Sequence, residues 1–541
     1  MKRVIRQKNG RAFILALLMA CTVAAVTAED STNSIGPYVI RSVDFQIQGR
    51  TKDFVLMALI DPYQRMLGSS FPDKASLDAF VADKTELLLS QRVLASVTPS
   101  YEATASLGGG YDVALHFATT DSWNIIGLPY AKYDSNDGLL LSLRGRDYDF
   151  MGSALPLELN LNYQKSPIGV SSFGWQFDFT APFRANGAVW DLSFVEDGQF
   201  WTDGTKSSVA SAAITYNLPG LGFPASVTAS QSFSYEANAP DLDPDTWYLG
   251  ESAAATAKIP LTGSLGTWLG VDLGPVNYVP SIELDYSWKP GTTLVYYGNG
   301  TAPSDLDTTA AQALQNFPEY YGRGGVLSTV SNGLALGRVD WAGNMREGLS
   351  ISLTSREAYN AQWDDLISDI IIDAELFAQW NEKVGVAARL YGIGRLSGNF
   401  PENNVNTDDL TMLGQYMRGI IDKRISGVQA VILNGNLPVK LFDFPTHVFI
   451  NTRALDFELQ AQPFLDLGLA RPDFSSSFSS DWLWYSGGLE LLVYPLGLRS
   501  FTIRASAGWD LKNVLATRSL TAMTPDGQSP YEIYLGLNLL F

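Results

Sequence analysis

The last eleven residues, Tyr531-Glu-Ile-Tyr-Leu-Gly-Leu-Asn-Leu-Leu-Phe541, decide the fold of this chain. They form one strand with an apolar face, because every second residue is large and apolar: Tyr531, Ile533, Leu535, Leu537, Leu539 and Phe541. A soluble protein rarely ends on such a strand, since its unpaired edge would aggregate. A membrane barrel does end this way, because its last strand closes on its first. The terminus therefore predicts a barrel.

The same two-residue alternation runs upstream to Trp123. It is clearest in 155–163, 173–179 and 282–288, where Leu, Ile, Phe, Trp or Tyr alternate with Gln, Asn, Asp, Glu or small residues. A soluble β-sandwich also alternates, but segments of about ten residues with aromatic ends fit tilted strands that cross a bilayer. We therefore expect residues 123–541 to form a transmembrane β-barrel of about 16 antiparallel strands. Counting segments gives sixteen to eighteen, with the ambiguity between residues 199 and 330.

Residues 38–121 have a different pattern and predict a small α/β domain. Alternation over 38–47 indicates a strand, and helical spacing over 51–67 and 74–91 indicates two helices. Two more strands are expected near 94–103 and 111–119. The order strand, helix, helix, strand, strand in about 80 residues is enough for a small core of its own.

Residues 1–28 resemble an export signal. Five basic residues precede the apolar run 12–20, and Val26-Thr27-Ala28 suits cleavage after Ala28. An uncleaved anchor helix is the alternative, although the apolar run is short for a membrane span. Leu18-Met19-Ala20-Cys21 also resembles a loose lipoprotein box, which would leave the chain's only cysteine, Cys21, lipidated. Cleavage after Ala28 would instead leave a mature chain without cysteine.

The charge of the chain disfavours anionic partners. Removing residues 1–28 takes away five basic and no acidic side chains, which changes the formal net charge from −19 to −24. A surface this acidic repels nucleic acid and anionic lipid. We therefore expect no nucleic-acid partner.

Motifs along the chain resemble those of the BamA/TamA-type outer-membrane assembly superfamily, in which a POTRA domain precedes a bacterial-surface-antigen-type barrel. Val43-Asp-Phe-Gln-Ile-Gln-Gly49 resembles the opening strand of a POTRA domain, although Arg50 stands where the family usually has Asn. Asp149-Phe-Met-Gly152 and Phe179-Thr-Ala-Pro-Phe183 resemble stretches of the early barrel. The resemblance covers the mature chain and implies a periplasmic POTRA domain at 38–121 and a barrel in the outer membrane of a diderm bacterium.

The most specific match is Tyr416-Met-Arg-Gly-Ile420, which resembles the "V-R-G-F/Y" motif of a long extracellular loop that tucks into the barrel. Pro463-Phe-Leu-Asp-Leu-Gly468 resembles the family's "F-x-D-x-G" strand. Within that strand, Phe464, Asp466 and Gly468 share the face opposite the leucines, which must meet lipid, so Asp466 points into the lumen. The resemblance implies that Arg418 and Gly419 enter the same lumen, with Tyr416 beside them.

A contact between Arg418 and Asp466 would be forked and partly desolvated, which makes it strong and orienting. From the residues alone, Arg418 could equally be an ordinary loop arginine and Asp466 a solvated lumen acid. One departure weakens the expected anchor. The family often carries Glu in an "N-x-E-L-R" stretch after the loop, whereas this chain has Asn434-Gly-Asn436-Leu-Pro438. We therefore expect no second acid for Arg418.

The sequence shows no catalytic or metal-binding motif. His116 and His447 are the only histidines, and they lie on different predicted elements. No GxSxG or P-loop string is present, and Gly322-Arg-Gly-Gly325 is followed by no predicted helix. We expect a protein that is not an enzyme and has no cofactor and no metal site.

Three functions are consistent with these features. The first is an assembly factor that opens a lateral seam between its first and last strands and inserts other barrels by strand templating. Gly536, which has no side chain to pack, and Phe541 would lie at that seam, opposite residues 125–133. The second is a secretion pore for a dedicated protein, and the third is a passive porin with a periplasmic plug. Expected partners are unfolded outer-membrane proteins or one secreted client, outer-membrane lipid, and periplasmic chaperones or accessory lipoproteins.

Overall fold

The computed structural model of the chain describes residues 37–541 except 92, 107–108, 135–137, 166–169, 238–245, 269–270, 289–324, 362–364, 398–415, 421–427, 446–455, 472–476, 497–501, 526, 528 and 538–541. The predicted signal peptide, residues 1–28, lies outside the described residues, and so does Phe541. Among the described residues, no helix is both long enough and apolar enough to span a membrane.

The N-terminal unit has one four-stranded sheet and two helices. Its elements are β1 (Tyr38–Gln48), α1 (Asp53–Ile60), β2 (Ser70–Phe71), α2 (Lys74–Ser90), β3 (Leu94–Ala105) and β4 (Tyr111–Asp121). The sheet order is β2-β1-β4-β3, with β1 parallel to β4 and β3 antiparallel to β4. Its core is formed by residues that are almost fully buried: Ile40, Leu56, Leu77, Leu88, Leu94, Leu115 and Phe117.

The first helix is shorter than the predicted 51–67. It ends at Ile60 because Pro62 disfavours helical backbone at Asp61. The Asp61 carboxylate then accepts hydrogen bonds from the backbone N–H groups of Arg65 and Met66, which fixes a turn in place of a further helical turn. The short strand β2 follows that turn.

The remaining strands form the barrel and one small hairpin. They are β5 (Ile125–Asp134), β6 (Gly138–Asp147), β7 (Leu157–Lys165), β8 (Ser171–Ala185), β9 (Ala188–Trp201), β10 (Lys206–Asn217), β11 (Ala225–Ala237), β12 (Thr246–Ala257), β13 (Ile259–Pro260), β14 (Thr267–Trp268), β15 (Val271–Asp272), β16 (Asn277–Trp288), β17 (Gly325–Ala342), β18 (Met345–Asn360), β19 (Asp365–Asn381), β20 (Val384–Ser397), β21 (Gln429–Asn436), β22 (Val439–Phe444), β23 (Phe457–Arg471), β24 (Leu483–Pro495), β25 (Ile503–Asp510) and β26 (Tyr531–Leu537). A short helix, α3 (Leu511–Thr517), lies between β25 and β26.

The barrel is closed, and the described strands provide eighteen positions around its wall. Twenty segments make up the ring, but β12 and β13 both pair with β16, and β21 and β22 both pair with β23. Each pair therefore occupies one position. The number lies at the upper end of the sixteen to eighteen counted from the sequence. Because it is even, β5 begins and the described part of β26 ends at the same end of the barrel, next to the N-terminal unit. We call this the domain end, and the opposite end is the far end.

The wall separates two environments. On β7, Leu161 keeps 38% of its surface exposed on the outside, whereas Asn160 keeps 6%. The Asn160 side chain faces inward, where its Nδ2 donates to Gln176 Oε1 on β8 at 2.9 Å. An apolar outer face and a polar, hydrogen-bonded inner face are those of a barrel that crosses a bilayer. The predicted transmembrane β-barrel is confirmed.

Candidate functional site

The described part of the β20–β21 connection, residues 416–420, lies inside the barrel. The connection joins the far ends of β20 and β21, and the side chains of residues 416–420 pack on the inner wall formed by β20, β21 and β23. Met417, Arg418 and Ile420 are almost fully buried there. The structure thus brings this segment into the lumen, as the resemblance implies.

Arg418 forms a forked ion pair with Asp466 of β23. Its Nη2 donates to Oδ1 at 2.6 Å and its Nε donates to Oδ2 at 3.0 Å. The backbone N–H of Arg418 also donates to Oδ2, at 3.0 Å. The two side chains are only 2% and 0% exposed. One carboxylate therefore fixes both the guanidinium and the backbone of the loop, in a setting where charge-assisted bonds are strong.

Strand alternation explains why Asp466 points inward. Its neighbour Leu465 keeps 51% of its surface exposed on the outer face of the barrel. Phe464, two residues before Asp466, lies on the inner face, and its ring centroid is 3.8 Å from Arg418 Cζ. Gly468 completes the motif, because a Cβ atom there would overlap Met417 Sδ. Phe464, Asp466 and Gly468, the three fixed residues of the "F-x-D-x-G" motif, thus each have a separate contact with the loop.

The expected absence of a second acid for Arg418 is wrong. Arg418 Nη1 lies 3.1 Å from Glu490 Oε2 on β24, and the Glu490 side chain is 3% exposed. Arg504 Nε of β25 donates to the other oxygen, Oε1, at 2.7 Å. Sequence reasoning looked for the acid on the strand after the loop, but strand pairing brings it from β24. The sequence feature that could have indicated Glu490 is that it is the only acid, at an inward position, in the apolar stretch Leu489-Glu-Leu-Leu-Val493.

Asn434, where the family pattern led us to look for the acid, holds the loop differently. It lies directly opposite Asp466 in the β21–β23 pairing, and its Nδ2 donates to the Tyr416 carbonyl oxygen at 2.8 Å. The Tyr416 ring stacks on Tyr391 of β20, with centroids 4.1 Å apart. Arg389 Cζ lies 5.6 Å from the Tyr416 centroid. Tyr416 therefore anchors the N-terminal side of the segment through an aromatic and cationic stack.

Gly419 brings the loop backbone against β25. Its φ is +75°, and a Cβ atom there would lie 2.5 Å from Trp509 N and 2.6 Å from the carbonyl carbon of Gly508 on β25. Only glycine allows both that φ and that approach. Its N–H donates to Glu532 Oε2 on β26 at 2.8 Å. The loop thus reaches the last strand of the barrel.

The predicted seam is the junction of β26 with β5, which closes the ring. Gly536 lies near the domain end of β26, directly opposite Arg504 in the β25–β26 pairing. It is therefore not close to the Glu532 contact, which is near the far end of the strand. Phe541 cannot be placed, because it lies outside the described residues.

A second set of functional candidates was not found from the sequence: the contacts that dock the N-terminal unit on the barrel. Arg50 donates from Nη2 and Nη1 to Asp147 at the end of β6, at 2.9 and 3.1 Å. Thr51 Oγ1 donates to the buried Asp149 in the following turn at 3.0 Å. Arg50, the departure from the family's Asn, is therefore a docking residue. Burial raises the pKa of the Asp149 carboxyl above its ordinary value.

On the other side of the domain end, Asp83 of α2 pairs with Arg338 of β17 at 2.7 Å. Burial acts to raise the pKa of the Asp83 carboxyl, but the Arg338 guanidinium and the Lys84 ammonium hold it below its ordinary value. Between these two points, Tyr63 donates its hydroxyl to Asn277 Oδ1 on β16 at 2.7 Å. The N-terminal unit therefore bridges the domain end from β6 to β17.

The lumen also contains an open region, away from the loop. A cavity of about 600 Å³ is bordered by β10 to β12 and by β16 to β20. Its lining combines small hydroxyl side chains, such as Ser211, Ser232 and Ser331, with six charged ones: Glu251, Glu283, Asp285, Arg356, Asp369 and Arg395. Among the described residues, no three His, Cys, Asp or Glu side chains are grouped so that they could hold a metal ion.

No known protein family matches the sequence, and no curated protein matches it either. Several solved structures match at low identity. CdiB from Acinetobacter baumannii is 11% identical, with a TM-score of 0.41, over 92% of this chain and 73% of that chain. BamA from Haemophilus ducreyi lacking POTRA domains 1–3 is 10% identical, with a TM-score of 0.34, over 92% and 84%. The FrpB iron transporter from Neisseria meningitidis is 11% identical, with a TM-score of 0.33, over 86% and 71%. Similarity of this degree assigns no function to the chain.

Proposed function

We propose that this chain is a BamA/TamA-type factor that inserts or folds β-barrel proteins in the outer membrane of a diderm bacterium, and that it is not an enzyme. The observation that carries the proposal is the buried pair of Arg418 and Asp466, which holds the loop against the last strands of the wall. A passive pore does not need a fully desolvated ion pair that fixes a loop backbone. An assembly factor with a lateral seam does need such an ion pair, because the strands beside the seam must keep their positions.

The proposed mechanism is strand templating. An opened seam between β26 and β5 exposes backbone N–H and C=O groups, which lipid cannot satisfy but an incoming strand can. In the N-terminal unit, β3 has one paired neighbour, β4, among the described strands. Its other edge is the proposed receptor for an unfolded client in the periplasm, with the unit acting as a POTRA domain. Periplasmic chaperones or accessory lipoproteins would deliver the client there.

A secretion pore is the second candidate, and the polar cavity in the lumen favours it. Its hydroxyl and charged side chains form a wet surface along which an extended polypeptide could pass. In this function the loop would occupy one side of the lumen, and the cavity would be the path through the other side.

Depletion of the protein, followed by a quantitative inventory of outer-membrane and secreted proteins, distinguishes the candidates. We expect loss of many β-barrel proteins. Loss of one secreted protein with the barrels intact would favour the pore, and an unchanged inventory would contradict both. Complementation with the Asp466→Ala variant tests the site itself, with Glu283→Ala, a lumen acid of β16, as the matched control.

A further inference from the structure

We propose that Glu532 fastens the terminal strand to the tucked loop, so that the loop regulates the seam directly. The functional consequence rests on the assembly activity proposed above, but the mechanical claim does not. Nothing in the sequence motifs points to Glu532, which lies 113 residues after Gly419 and outside both loop motifs.

The contact is specific in geometry. Glu532 lies on the inner face of β26, between Tyr531 and Ile533, which are exposed on the outer face. Its Oε2 accepts the Gly419 N–H at 2.8 Å, and this N–H belongs to the residue directly after Arg418. A carboxylate that accepts a backbone N–H makes a charge-assisted bond, about twice as strong as a neutral one. The loop cannot leave the wall without breaking it.

A second path connects the same loop to the same strand. Arg418 is paired with Glu490 of β24, and Glu490 accepts a hydrogen bond from Arg504 of β25. The Arg504 guanidinium then lies over the Tyr534 ring of β26, with Cζ 4.5 Å from the centroid. The charged network thus crosses β23, β24 and β25 and ends two residues from Glu532, on the same face.

The position of β26 explains why such fastening matters. β26 forms one side of the seam and is held on its other side by pairing with β25. Opening of the seam separates β26 from β5, so a contact that holds β26 against the loop opposes that movement. A contact that is present in the closed seam and lost when β26 moves shifts the equilibrium toward the closed state. Glu532 is therefore a positioning residue for the seam.

The experiment measures the seam without any client. Spin labels on Gly127→Cys of β5 and Leu535→Cys of β26 report the distance across it in the full chain, refolded into lipid bilayers. A Cβ atom at Gly127 would meet no atom within 4 Å, and Leu535 is exposed on the outer face, so both positions suit a label. With Glu532→Ala we expect the long-distance population to rise about five-fold, the lower end of typical coupling between two sites.

Two further variants separate the hydrogen bond from the charge. Glu532→Gln keeps an oxygen that can accept the Gly419 N–H, and should stay close to the parent distribution. Glu532→Asp keeps the charge but is one methylene shorter, and should behave like Glu532→Ala, which also provides a test if the alanine variant fails to fold. Glu283→Ala is the matched control and should leave the distribution unchanged.

An unchanged distance distribution in Glu532→Ala and Glu532→Asp would overturn the proposal. So would equal opening in Glu532→Gln, because the charge rather than the contact would then be responsible. These outcomes are independent of the proposed function: depletion without loss of barrels would contradict the assembly activity and leave the distance result standing.

Discussion

Arg418 is paired with two acids, Asp466 and Glu490, so removing Arg418 and removing Asp466 leave different groups without a partner. Arg418→Ala leaves Asp466 buried without its cation, whereas Asp466→Ala leaves Arg418 with Glu490. Breaking one side of a buried pair costs about 3–5 kcal/mol, but here the loop can swing out and rehydrate the remaining charge. We therefore expect the barrel to fold in both variants and the loop to become accessible to protease.

Because the two side chains act as a unit, the double variant of Arg418 and Asp466 should be little worse than Arg418→Ala alone. Arg418→Lys should rescue poorly, since an ammonium cannot make the forked contact. The measurement is limited proteolysis of the loop combined with a growth assay under depletion. Fully additive losses would show that the two residues act independently and would contradict the site.

Glu490 gives a separate prediction at the same site. Glu490→Gln removes the charge that Arg418 and Arg504 share, while Asp466 still holds the loop. We expect a smaller increase in proteolysis than in Asp466→Ala, together with increased mobility of β26, because the Arg504 contact to Tyr534 loses its support. Labels on β5 and β26 would detect that mobility. If Glu490→Gln increased proteolysis of the loop more than Asp466→Ala does, Glu490 rather than Asp466 would be the main anchor of the loop, and the prediction would be wrong.

Among the elements, β5 and β26 matter most for the proposed function, in which a client would enter the bilayer between them. A disulfide between one of residues 127–131 and one of residues 533–537 would lock the seam. Since the precursor contains only Cys21, engineered pairs have little competition. We expect the oxidised form to stay folded, as judged by its heat-modifiable migration, and to lose assembly activity.

Reduction of that disulfide should restore activity. A pair placed within the wall, such as one between β17 and β18, is the matched control and should leave activity unaffected. Full activity of the oxidised seam variant would exclude lateral opening.

At the scale of the whole molecule, two separate sets of contacts stabilise different parts of the barrel wall, which we call arcs. The N-terminal unit bridges the domain end from β6 to β17 through Arg50 and Arg338, and the tucked loop holds β20 to β26 from the inside. The β26–β5 junction lies between these arcs. We expect a chain without residues 38–121 to form a barrel that resists denaturation but no longer captures clients.

The control for this deletion keeps the unit but loosens its docking, with Arg50→Ala and Asp83→Ala combined. If capture needs the β3 edge, the control should still bind an unfolded client in a pull-down assay. If capture needs the docked arrangement, both proteins should fail. Full complementation by the deleted chain would mean that the N-terminal unit is dispensable.

The sequence by itself determined the architecture, because alternation is a local property. Residues 531–541 and the segments upstream show which side of each strand meets lipid, and this alone required closure. Helical spacing over 74–91 likewise predicted α2. The predicted first helix, 51–67, was too long, because the helix ends at Ile60, just before Pro62. The inward direction of Asp466 also followed from alternation, and the family resemblance then named its partner Arg418.

Only the tertiary structure decided which residues meet across the molecule. Glu490 and Glu532 are ordinary inward acids in the sequence, and become part of the site because β24 and β26 lie beside the loop. The docking pairs are 97 and 255 residues apart, so no local pattern could connect them. Strand order and register place such residues side by side, and both are set by the closure of the whole ring rather than by any one strand.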